Sequence, residues 1–108
     1  MNEAMLVTRE MLIKRLEDCE EKQETAAKQL KELRAARQSL QEGFAIRWYA
    51  QKDKWKKSFE GVQIKKDYDS RYEDIMRRIE FKVAELDFAT FKTGRAEVDL
   101  VSFDNDNP

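Results

Sequence analysis

Apolar side chains recur through the first half of the chain at alternating intervals of three and four residues. The series Met5, Arg9, Leu12, Leu16, Cys19, Gln23, Ala26, Leu30, Leu33, Arg37, Leu40, Phe44 is apolar at nine of its twelve positions. A narrow seam of this period is the pattern of a coiled coil rather than of a helix lying on a broad core. Asn2 suits the N-cap and Glu3 the first turn. Glu10 with Lys14, Asp18 with Lys22 and Glu24 with Lys28 have the spacing that supports a helix by a few tenths of a kcal/mol each. Arg9, Gln23 and Arg37 interrupt the seam, where they either set the register or carry their polar ends out to water on long stems.

Glycine punctuates the pattern. Gly43 follows Arg34 and Arg37 as a helix stop would, but Ser39 to Glu42 has the form of a capping box and helix formers resume at once. A turn of two residues is very tight for a reversal, so the expectation is a kinked, continuous helix running on to Gly61. Lys56 and Lys57 precede Gly61 as cations suit a helix C-terminus. Ser70 to Glu73 then reads as a second capping box, opening a helix over residues 71–92 that carries Tyr72, Ile75, Ile79, Val83 and Leu86 on one face. Phe81, Ala84, Phe88 and Phe91 make a second strip, which either widens that face or meets a second neighbour. Gly94 closes the helix. Beyond it Ala96, Val98 and Leu100 alternate with Glu97 and Asp99, which predicts an extended stretch, and residues 104–108 are expected to fray.

The fold expected is therefore all-α: a long N-terminal coiled-coil helix, a shorter antiparallel helix completing a helical hairpin (residues 1–94), and an extended acidic tail (residues 95–108). The shorter helix would cover well under half of the longer one. That mismatch predicts homodimerisation through Leu12, Leu16, Cys19, Leu30, Leu33 and Leu40, with Cys19 facing its symmetry mate if the pairing is parallel and in register.

Composition narrows the chemistry. The chain has 108 residues, 41% hydrophobic and 40% charged, a balance that suits a helical rod and leaves room for one domain. It has no histidine and one cysteine, so a Ser-His or Cys-His nucleophile, the usual zinc sets and an internal disulfide are all excluded. Cys19, at a seam position, reads as a small hydrophobe. No glycine-rich phosphate loop is present, and Asp67, Asp69, Glu73 and Asp74 lack calcium-loop spacing and suit a helix start instead. The chain is expected to be no enzyme and to carry no cofactor or metal. Without an apolar run of membrane-spanning length or a signal segment, it is expected to be cytoplasmic.

Net charge is −1, yet its distribution is uneven. Residues 44–66 hold seven basic residues against two acidic ones, whereas residues 67–108 hold six against eleven. In helical projection Phe44, Trp48, Trp55 and Phe59 share a stripe with most cations off it, so burial of these rings in an interface is the leading reading. The function expected is that of a small non-enzymatic protein-binding module, an adaptor, assembly factor or inhibitor, using Trp48, Trp55, Phe59, Val98, Leu100 and Phe103 toward another protein. The alternative is nucleic-acid binding through Arg47, Lys52, Lys54, Lys56, Lys57, Lys65 and Lys66. A membrane is the weakest of the three, because a basic amphipathic helix of seventeen residues is short for the task.

Overall fold

The computed structural model describes residues 6–108, and among them every regular element is helical: α1 (Arg9–Tyr49), the single turn α2 (Asp53–Lys56) and α3 (Phe59–Asp106). The cap proposed at Asn2 and the seam position Met5 lie outside the described residues. Thr8 caps α1, its Oγ1 accepting the Met11 N–H at 3.2 Å, and Glu10 sits in the first turn where a carboxylate favours the helix dipole. Arg47 occupies the last turn with the matching charge. α1 and α3 pack together as a helical hairpin, in two compact units.

The first unit joins the described residues up to Lys28 with Ala84–Pro108. Leu12, Ala26, Thr93 and Ala96 are its buried residues, and two alanines among four allow a close helix approach. Thr93 satisfies its buried hydroxyl by donating to the Ala89 carbonyl at 3.0 Å. Across the pair, Arg9 Nε donates to Asp104 Oδ1 at 2.8 Å, Arg15 Nη1 to Asp99 Oδ2 at 3.1 Å, and Gln23 Nε2 to Thr90 Oγ1 at 3.1 Å. Residue numbers rise on α1 as they fall on α3, so the pairing is antiparallel. Asp104 raises the Arg9 pKa, chiefly by the hydrogen bond and then by charge.

The second unit is residues 29–83. Leu30 and Ile79 are its buried apolar side chains, at 5% and 6% exposure, and removing each from water contributes about 1.5–3 kcal/mol. Arg37 reaches the Met76 sulfur at 3.5 Å and Lys82 donates to Gln29 Oε1 at 2.7 Å. The same antiparallel order holds here.

The seam positions Leu12, Leu16, Cys19, Gln23, Ala26, Leu30, Leu33, Arg37, Leu40 and Phe44 are all buried or half-buried on α1, as are Ile13, Ala45 and Trp48 beside them. On α3 the same alternation runs Tyr68, Tyr72, Ile75, Ile79, Lys82, Leu86, Ala89, Thr93, Ala96, Leu100, Phe103. Gln23 and Arg37 thus have partners on α3, and the half-exposed seam end Arg9 pairs with Asp104.

Several expectations are corrected. The helix does pass through Gly43, but it ends at Tyr49 instead of near Gly61. Gly61 lies inside the first turn of α3, against the Trp55 carbonyl and the Lys56 backbone. The second helix spans 48 residues rather than residues 71–92, and it is longer than α1 at 41, so the length mismatch that argued for a dimer is gone. The Ser39–Glu42 and Ser70–Glu73 capping boxes are helix interior. Residues 95–106 continue α3 and are not an extended tail; Val98 is exposed while Ala96 and Leu100 turn inward, a helical repeat read as alternation. Acidic side chains of the expected tail are used, Asp99 pairing with Arg15 and Asp104, where fraying was expected to begin, with Arg9. Asp67, Asp69, Glu73 and Asp74 stand well inside α3 and pair with Arg71, Lys65, Arg77 and Arg78 four residues away. Glu10, Asp18 and Glu24 do not reach Lys14, Lys22 and Lys28.

Candidate functional site

The turn between α1 and α3 is built by backbone approach and by rings. Ser58 caps α3, its Oγ accepting the Gly61 N–H at 3.2 Å while donating to the Trp55 carbonyl. A methyl group at Gly61 would lie 2.3 Å from the Trp55 carbonyl oxygen and 3.0 Å from the Lys56 backbone. Glycine is therefore what lets α2 rest against the start of α3. Phe44 stacks on Tyr68 (centroids 4.0 Å apart) and on Trp48 (5.2 Å); Trp48 meets Trp55 edge-on (5.9 Å) and Tyr68 leans on Tyr72 (6.0 Å). The Lys56 ammonium lies over the Trp48 and Tyr49 rings at 5.8 and 5.7 Å, with Asp53 at 4.0 Å.

Trp48 and Trp55 are thus half-buried within the chain. Phe59 departs from the expected stripe: the chain reverses before reaching it, and the ring is 85% exposed. Ile46 and Tyr49 at the end of α1, which the sequence reading passed over, are 75% and 76% exposed. Among the seven basic residues named for nucleic acid, Lys56 is held by the rings and Lys65 by Asp69 at 3.1 Å. Arg47, Lys52, Lys54, Lys57 and Lys66 are exposed and have no acidic partner among the described residues. Partial burial raises the Tyr68 pKa, helped by the neighbouring Tyr72, Asp69 and Tyr49 against an opposing effect of Lys65.

In the first unit, Phe88, Phe91 and Val98 are 60%, 62% and 60% exposed. At about 100° per residue they fall within about 80° of one another, on the side of α3 away from buried Thr93 and Ala96. Lys92 covers one side of the Phe88 ring at 5.2 Å. Leu100 and Phe103, grouped with Val98 as partner-binding, are half-buried on the inner face instead. All six residues named for an oligomer seam, Leu12, Leu16, Cys19, Leu30, Leu33 and Leu40, lie buried or half-buried along α1.

A shallow groove of about 600 Å³ in the second unit is lined by Gln29, Glu32, Leu33, Arg77, Arg78, Phe81 and Lys82. Four of its polar groups have partners: Lys82 bonds Gln29, and Arg77 and Arg78 pair with Glu73 and Asp74. Among the described residues, no three metal-ligating side chains converge and no helix is long and apolar enough to cross a membrane. No protein-family model, curated relative or solved structure matches the chain.

Proposed function

We propose that the chain is a non-enzymatic protein-binding module: an intramolecular antiparallel coiled coil that presents the outer face of α3 to an amphipathic helix. The single observation behind this reading is the exposure of Phe88 and Phe91, 60% and 62%, on the face that α1 does not cover. Aromatic side chains left in water at the spacing of a second helical stripe are a surface with a use, since they bury large areas when a partner helix arrives. The docked helix needs an apolar stripe of the same period, and α3 of a second copy carries one. Self-association is then a property of this outer face rather than of the seam around Leu30, which the chain occupies itself. Adaptor, assembly and inhibitory roles all follow from a small module that covers a partner's surface. We place it in the cytoplasm, where a lone thiol such as Cys19 stays reduced.

Sedimentation velocity over a concentration series tests the reading. Dimerisation should be lost in the Phe88→Ser, Phe91→Ser double variant with helicity retained, because neither ring supports the inner face. A wild-type chain monomeric at about 100 μM, or a dimer that survives both substitutions, would reject self-association through this face.

A further inference from the structure

We propose that the turn between α1 and α3 is a binding site for an anionic lipid surface. The turn and the helix ends flanking it hold five exposed cations with no ion-pair partner among the described residues: Arg47, Lys52, Lys54, Lys57 and Lys66. Among them stand apolar side chains that the fold leaves in water, Phe59 at 85%, Tyr49 at 76% and Ile46 at 75%. Cations with exposed rings and aliphatic groups match the boundary between headgroups and acyl chains, where charge meets phosphate and the apolar groups leave water.

A helix lying flat would need a long apolar face, but Trp48 packs on Phe44 and on Trp55, and the helix is broken between the two tryptophans. What remains is a turn whose side chains dip in individually. The same packing disfavours single-stranded nucleic acid. Both tryptophans are half-buried against each other, which leaves Phe59 and the one face of Tyr49 that Lys56 does not cover to meet a base, while Ile46 has no ring face to offer. A bilayer interface uses the aliphatic and aromatic groups alike.

Co-sedimentation of the full chain with vesicles of phosphatidylcholine and phosphatidylserine, against phosphatidylcholine alone, tests the site. Binding should require phosphatidylserine and weaken as salt is raised. Replacing Lys52, Lys54 and Lys57 together by Gln should lower partitioning on the order of a hundredfold. Phe59→Ser should lower it on the order of tenfold with helicity unchanged, since that residue is 85% exposed. Absence of binding to the anionic vesicles at low salt would overturn the proposal, as would vesicle binding indifferent to Phe59→Ser. A single-stranded oligonucleotide held through the same lysines, with vesicles left unbound, would replace it by the nucleic-acid reading.

Discussion

The rings of Phe44 on α1 and Tyr68 on α3 are stacked, 4.0 Å between centroids and 13° from parallel, and they join the two helices next to the turn. Both are half-buried, and Phe44 also stacks on Trp48. Phe44→Ala should therefore lower unfolding stability by roughly 2–3 kcal/mol, combining lost apolar burial with lost ring contacts. Phe59→Ala, fifteen residues on and almost wholly in water, should stay within about 0.5 kcal/mol of wild type. Urea unfolding followed by helical circular dichroism measures both.

Tyr68 also makes stability depend on pH. Its native pKa lies above the ordinary tyrosine value of 10.0, so the folded chain holds the phenol proton more tightly than the unfolded one. Its contribution is then fully present below pH 10 and disappears as pH rises through the native value. Stability should decline in that alkaline window, and Tyr68→Phe should flatten the decline. Phenolate absorbance of the native protein should likewise show a late-titrating group that the Phe variant lacks.

Two glycines in helices should answer the same substitution with opposite signs. Gly43, inside α1, has open space where a methyl group would go, so Gly43→Ala should stabilise by up to about 1 kcal/mol through helix propensity. Gly61 faces the Trp55 carbonyl and the Lys56 backbone, neither of which is a flexible side-chain end. Gly61→Ala should cost about 1–3 kcal/mol and shift tryptophan fluorescence, because Trp55 must move with its backbone. Thermal melts of the two variants, run together, give the comparison.

The course of α1 was legible because burial in a two-helix pair follows a seam, and a seam leaves a 3,4 trace: every described position read from Leu12 to Phe44 is buried or half-buried. The far side of the pair was hidden by two local signals. Gly61 looked like a stop because glycine serves both to end helices and to admit a neighbouring backbone, and only the tertiary approach of α2 tells them apart. Ser70 with Glu73 imitated a capping box, while the true cap, Ser58, has glycine where the box expects Glu; Glu60 in its first turn was the available clue. Over residues 96–101, a 3,4 repeat in a short window passes for alternation. Of the candidate surfaces, the Phe88 and Phe91 strip and the basic stretch could be read from composition and spacing. Which rings of the turn stay in water could not, since that depends on the chain reversing between Trp48 and Phe59.

Leu30 and Asp99 set the scale of what holds the hairpin. Leu30 is 5% exposed in the second unit, whereas Asp99 pairs with Arg15 at 3.1 Å in the first with both side chains open to solvent. An exposed ion pair gains little Coulomb energy in water and must order two side chains, so Asp99→Asn should cost no more than about 1 kcal/mol, and less as salt rises. Leu30→Ala removes three buried carbons from a layer only two helices thick, where neighbours can close over part of the gap. Its cost should fall near the lower end of the usual 2–5 kcal/mol range, roughly 2–3 kcal/mol, and be independent of salt. Urea midpoints at low and high ionic strength separate the two effects. An Asp99→Asn loss as large as that of Leu30→Ala would mean that the cross-helix charges, rather than the apolar seam, supply most of the stability.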